Sequence, residues 1–129
     1  MQKLLKVSDE QAQEFMRRNH ANSEHIAISS ADDWLAAVDN NGEIIGVVGM
    51  LRFKKSLRIK GFFVAPGWRS KGIGKLLLEN FLIPGAKVSV FATSESRPLF
   101  EAQGFKVVKM GKNDIAFMER SADYEKPSL

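Results

Sequence analysis

Residues 59–82 read IKGFFVAPGWRSKGIGKLLLENFL, a strand, a turn, a glycine-bearing loop and a helix in that order. Phe62, Phe63 and Val64 are the aromatic and β-branched types that suit a pleated surface. Their run stops at Pro66, which has no N–H to give a ladder. Pro66-Gly67 turns the chain. Beyond it Ile73, Leu76, Leu77 and Phe81 recur at the three- and four-residue spacing of one helical face, while Lys75, Glu79 and Asn80 lie largely elsewhere. Gly72 and Gly74 stand at the mouth of that helix. Amides of a first helical turn lack intrahelical partners and carry the positive end of the macrodipole, so such a mouth receives anions. Glycine keeps a Cβ out of the way, and Arg69, Lys71 and Lys75 surround the opening with cations. The stretch reads as a pyrophosphate cradle.

Two commoner phosphate loops do not fit these letters. A Walker A loop starting at Gly67 reaches Gly72, but Ile73 and Gly74 then stand where Lys and Ser or Thr are required. A dinucleotide fingerprint starting at Gly72 finds Gly74 but meets Leu77 in place of its third glycine. Glu95, at about the right distance for the ribose-binding acid, falls in a polar loop. What remains is Arg-x-x-Gly-x-Gly, Arg69 to Gly74, behind the strand end Val64-Ala65-Pro66. This pattern resembles the acetyl-CoA loop of the GNAT acyltransferase superfamily. A second landmark, LFEAQGF from Leu99 to Phe105, is similar to the Leu-Tyr-x-x-x-Gly-Phe signature that closes the GNAT core.

Working outward, Lys3 to Val7 is a candidate edge strand. Ser8 is an N-cap with Gln11 at the capping-box position, opening a helix to about Asn19 whose buried face is Ala12, Phe15 and Met16. His20 to Ser30 is polar and reads as a loop, a short helix or both. Trp34–Val38 and Glu43–Phe53 are strands joined through Asp39-Asn40-Asn41-Gly42, residues that tolerate positive φ. The unbroken apolarity of IIGVVGM predicts a central strand covered on both faces, with Gly46 and Gly49 marking bulges or close approaches. A turn at Lys54-Lys55-Ser56 makes Trp34–Val64 an antiparallel meander of three strands. Lys87–Ala92, reached through a helix, is expected parallel to its predecessor. A short helix over Arg97–Gln103 ends at Gly104, and strands around Phe105–Met110 and Ile115–Glu119 flank a turn at Gly111–Asp114.

The fold class expected is mixed α/β (α+β). It takes the form of a GNAT-like three-layer α/β/α fold with a central, mostly antiparallel mixed sheet and one parallel pair at the cofactor cleft. Residues 1–120 are expected to form a single domain and 121–129 a flexible tail.

Composition narrows the function. With 44% apolar and 26% charged residues the chain is of the ordinary globular type. The absence of cysteine removes disulfides, thiolate metal sites and a cysteine nucleophile, and two histidines give little basis for a metal. No signal peptide or membrane span is legible, so a cytoplasmic address is expected. The net charge of +4 concentrates around Arg52 to Lys75, which favours an anionic cofactor. Nucleic acid is disfavoured because the basic Arg52–Lys60 segment lacks interleaved exposed aromatics.

The resemblance implies an N-acetyltransferase that passes the acetyl group of acetyl-CoA directly to an amine acceptor, with no metal. Direct transfer also suits a chain without a cysteine to carry an acyl-enzyme. The resemblance implies pantetheine along the main chain of Phe62, Phe63 and Val64. It implies pyrophosphate on the amides of Arg69, Ser70, Lys71, Gly72, Ile73 and Gly74, with Lys75 nearby and Thr93 where members often carry asparagine. Phe100 stands where many members carry the tyrosine that protonates the departing thiolate, and a phenyl ring has no proton to give. No catalytic residue is therefore assigned, and Ser94, Ser96 and Tyr124 are the remaining hydroxyl candidates. Leu57 to Val64 contains Arg58 and Lys60 but no carboxylate to serve as general base, and some acyltransferases deprotonate the amine through ordered water instead. His20, Glu24, His25, Asp32 and Asp33 lie where an acceptor would bind, though polar loop residues are ordinarily just solvated. The alternative function is a catalytically weak acyl-CoA-binding module acting on a protein partner. A homodimer also stays open.

Overall fold

In the computed structural model the residues described are 3–21 and 28–125, so Glu24 and His25 lie outside them. β1 (Lys3–Lys6) leads into α1 (Asp9–Arg18). β2 (Asp33–Val38), β3 (Ile44–Arg52), β4 (Ser56–Ile59) and β5 (Phe63–Val64) precede α2 (Ile73–Phe81). β6 (Lys87–Ala92), α3 (Arg97–Ala102), β7 (Lys106–Met110) and β8 (Ala116–Arg120) complete the order. The strands form one sheet in the order β1-β2-β3-β4-β6-β8-β7, with β5 beside β3. Only β4 and β6 pair in parallel. The mixed sheet with a single parallel pair is the fold class the sequence implied. No described helix is long and apolar enough to cross a membrane.

Alternation explains why β3 is apolar on both faces. Every residue from Ile45 to Met50 is buried. Val47 and Ala36 pack with Ala12, Phe15 and Met16 of α1, whereas Val48 and Ala37 pack with Ile73, Leu77 and Leu78 of α2 and Phe100 of α3. Successive residues of a strand face opposite ways, so one apolar run feeds two cores.

The expected third strand of the meander is broken in two, which corrects the sequence reading. β4 pairs with β3 at Met50–Arg52 and β5 pairs with it at Gly46–Val47, with Lys60 to Phe62 between them. The Lys60 N–H still donates to the Gly49 carbonyl (2.8 Å), but Gly61 turns left-handed at φ +88°. The reason is the Trp34 ring, which lies against both glycines. A Cβ on Gly61 would stand 2.4 Å from Trp34 Cη2, and one on Gly49 would stand 2.4 Å from the Lys60 carbonyl oxygen. Two glycines and one buried indole thus set the break.

That indole is fixed from α1. The Ser8–Gln11 capping box forms in both directions (3.1 and 2.9 Å), and the next residue, Asp9, turns its carboxylate to the chain ahead of β2. Oδ1 accepts from the Ala31 N–H (3.0 Å) and Trp34 Nε1 (2.8 Å), while Oδ2 accepts from Ser30 Oγ (2.8 Å) and Gln13 Nε2 (2.8 Å). The Ala31 amide, then the Trp34 indole, hold the Asp9 carboxyl below its ordinary value against a smaller opposing effect of burial. A carboxyl depressed in the folded state stabilises above its unfolded pKa of about 3.9, and this contribution is lost as pH falls through the folded value. Asp9→Ala should cost about 2 kcal/mol near neutrality, because it orphans the N–H of a 3% exposed indole. Urea melts from about pH 7 to pH 3 should show the wild type converging on the variant below about pH 4. A pH-independent gap between them would contradict this assignment.

Candidate functional site

The sheet opens where β5 departs from the line of β4. β4 and β6 stay in register from Ser56–Lys87 to Ile59–Val90, but Phe63 and Val64 pair with Val47 and Gly46 of β3 and leave β6 unpartnered on that side. The gap is a cleft of about 700 Å³, of the size that takes a cofactor. Phe62, Phe63 and Val64 form one wall, Thr93, Ser94, Glu95, Ser96 and Leu99 form the other, and Trp68 to Ser70 with Gly72 to Lys75 close the base.

The base is a bare helix end. Gly72 is the N-cap of α2 at φ +82°, a conformation that glycine adopts without strain, and it has no side chain to bond the first amides. The first intrahelical bond runs from the Leu76 N–H to the Gly72 carbonyl (3.0 Å), so the amides of Ile73, Gly74 and Lys75 precede the helical ladder. Ser70 is also left-handed (φ 62°), and such turns direct neighbouring amides into anion-binding concavities. Nothing lies within 4 Å of a Cβ built on Gly72, so the cradle is open there. At Gly74 the space is taken: a Cβ would meet Leu99 Cδ2 at 2.8 Å and Phe62 Cζ at 2.9 Å, where α2 passes closest to both walls.

The chain matches the family profile of the acetyltransferase (GNAT) domain over residues 3–116. It belongs to the GNAT acetyltransferases. Family membership makes it an acyltransferase. Solved structures agree on the fold. The GNAT-family acetyltransferase of Staphylococcus aureus Mu50 is 20% identical, with 93% of this chain and 98% of that one covered and a TM-score of 0.68. Escherichia coli ElaA is 13% identical over 94% and 100% of the two chains, with a TM-score of 0.77. The PaiA N-acetyltransferase of Thermoplasma acidophilum, solved in complex with coenzyme A, is 14% identical over 93% and 98%, with a TM-score of 0.64. No curated protein sequence matches the chain.

Within this GNAT domain the residues singled out from the sequence divide by environment. Phe62, Phe63, Val64, Arg69, Ser70, Gly72, Ile73, Gly74, Lys75 and Thr93 all line the cleft, and Lys71 does not. Arg69 acts as a brace. Its Nε donates to the Val64 carbonyl (2.9 Å), its guanidinium lies 5.1 Å from the Phe63 ring centre, and its own amide donates to the Pro66 carbonyl (3.4 Å). The Thr93 hydroxyl accepts from the Ser96 N–H (3.2 Å) and lies 3.1 Å from Ser96 Oγ, which shapes the turn into α3.

Phe100 sits behind the wall. It is 1% exposed and edge-on to Phe62 and Phe105, with ring centres 5.3 Å away in each case. Ser94 and Ser96 line the cleft, whereas Tyr124 lies outside it, stacked 4.5 Å from the Arg120 guanidinium and filling the space that a side chain at Gly104 would need. Asp32 and Asp33 hold the start of β2 to Arg52. The Arg52 N–H donates to Asp32 (2.7 Å), and its guanidinium pairs with Asp33 (2.6 Å).

Trp68, Glu95, Leu99, Asn113 and Ile115 also line the cleft and were not among the residues expected from the sequence. Asn113 and Ile115 arrive through register: Ala92 pairs with Ala116, which sets the turn before β8 beside Thr93. That antiparallel pairing is long-range, and no local signal announces it.

Proposed function

We propose that this chain transfers the acetyl group of acetyl-CoA directly to an amine. The observation that carries the reading is the open, uncapped N-terminus of α2 at the base of the β5–β6 gap. An elongated ligand with an anionic middle fits it. The amides of Ile73, Gly74 and Lys75 would hold the pyrophosphate, Phe62 to Val64 would flank the pantetheine, and Gly72 leaves the room. When bound, acetyl-CoA supplies a thioester carbonyl already activated toward an amine. The chain then has to position two reactants and keep water from one side, tasks that account for much of the rate in such transfers. Residues 1–120 are the acyltransferase domain in this reading, and residues 121–129 a tail.

Phe100 decides the proton inventory. A buried ring among rings can donate nothing, which leaves the hydroxyls of Ser70, Thr93, Ser94 and Ser96 in the cleft, Ser70 at the pyrophosphate end and Thr93 bonded to Ser96. The expected pH profile follows. With acetyl-CoA and a primary amine, thiol release should rise with pH as the amine loses its proton. It should not fall again up to about pH 9, because no general acid must stay protonated. A bell-shaped profile with a falling limb in that range would reveal an acid that this account lacks. The same assay separates the second reading, favoured by the buried Phe100: acetyl-CoA binding without thiol release for any amine would point to a regulatory acyl-CoA module.

A further inference from the structure

Over the half of the sheet that α1 does not reach, one face has no described helix packed on it. In β4, Leu57 and Ile59 pack with the α2 core, so Arg58 points to the opposite face. Its register partner Ser89 does the same, as do Phe91 and its partner Phe117. Folding gathers three rings here from distant parts of the chain. The Arg58 guanidinium carbon lies 5.3 Å from the ring centres of Phe53 and Phe91 and 5.7 Å from that of Phe117. Arg58 Nε donates to Ser89 Oγ at 3.0 Å. The guanidinium is thus oriented in advance, yet no described carboxylate lies within ion-pair distance of it. Around this centre Phe91 is 58% exposed and Phe53 49%, so two large rings gathered at one guanidinium face solvent.

Charge selects the occupant. Lys106 and Lys109 of β7 stand opposite Glu119 and Phe117 in register and share their face, and Lys54 and Lys55 adjoin Phe53 in the chain. Glu119, a carboxylate on this face, is engaged by Lys87 at 3.1 Å. A second copy of the chain would present the same cations to these, so self-association is opposed. A nucleic acid would have to stack its bases on rings that the Arg58 guanidinium already approaches on one side, whereas an apolar side chain needs only part of the exposed surface of Phe53 and Phe91. We propose that this face docks an acidic segment of a protein partner, with carboxylates on Arg58, Lys106 and Lys109 and an apolar side chain against Phe53 and Phe91. The proposal goes beyond acetyl transfer and stands without it, since none of these residues lines the cleft.

The test is fluorescence anisotropy of the full chain with a labelled, N-terminally blocked peptide of alternating glutamate and phenylalanine at low salt, about 0.02 M. Expected are saturable binding that weakens as salt rises, a loss of about tenfold in Arg58→Gln and again in Phe91→Ser, and a comparable loss when serine replaces phenylalanine in the peptide. Acetyl-CoA binding should be unchanged in both variants. Phe91 is exposed enough that its replacement leaves the fold intact, so it decides the matter even if Arg58→Gln unfolds. Absent binding, or equal affinity in wild type and Phe91→Ser, overturns the proposal. So does tighter binding of a thymidine oligonucleotide that the same variants abolish, or a dimer that Phe91→Ser splits.

Discussion

Phe100→Ala should destabilise the protein by about 4 kcal/mol, the toll of deleting a fully buried phenyl ring from a close-packed core. Phe100 is the buried residue of the six-residue α3, and its ring bridges Phe62 in the cleft wall to Phe105 beyond the helix. A helix that short has little stability of its own, so α3 holds its place through this side chain. Against a typical total of about 5–15 kcal/mol the loss is large. Urea unfolding should show the midpoint falling with the slope unchanged, and Phe100→Leu should lose about half as much. A cost below about 1 kcal/mol would mean that the ring is not the support described.

The second large effect belongs to Gly72. Aspartate and asparagine have the same shape and both tolerate the left-handed conformation that Gly72 adopts at φ +82°. Only aspartate places a negative charge where the pyrophosphate would sit. At an effective dielectric near 20, like charges about 5 Å apart repel by about 3 kcal/mol, so Gly72→Asp should weaken acetyl-CoA binding about 100-fold. Gly72→Asn, which adds the bulk without the charge, should lose less than about tenfold. Equal losses would show that bulk or strain, not charge, is what the site resists.

Much of this architecture was legible because it is written locally. The Ser8 capping box, the Ile73-Leu77 helical face, the Gly104 turn and the limits of β6 each depend on residues within a few positions of one another. The cradle was legible for the same reason, its glycines, strand end and helix being contiguous. What could not be read is what long-range packing decides. The break between β4 and β5 needs the Trp34 ring against Gly49 and Gly61, three positions spread over the meander. Arg69 carries the same letter whether it faces a phosphate or braces Val64, and only the folded strand distinguishes these. The aromatic face around Arg58 was missed most completely. Its rings come from Phe53, Phe91 and Phe117. The basic Arg52–Lys60 segment was read as lacking exposed aromatics, but Phe53 within it is 49% exposed, and Phe91 and Phe117 join it once β4, β6 and β8 lie side by side.

The central claim is that the open end of α2 receives the acyl donor, and calorimetric titration with acetyl-CoA tests it most directly. One-to-one binding with a micromolar dissociation constant, weakened about 100-fold in Gly72→Asp and largely kept in Gly72→Asn, is the result predicted. No saturable binding to the wild type, or binding that Gly72→Asp leaves unchanged, would contradict it.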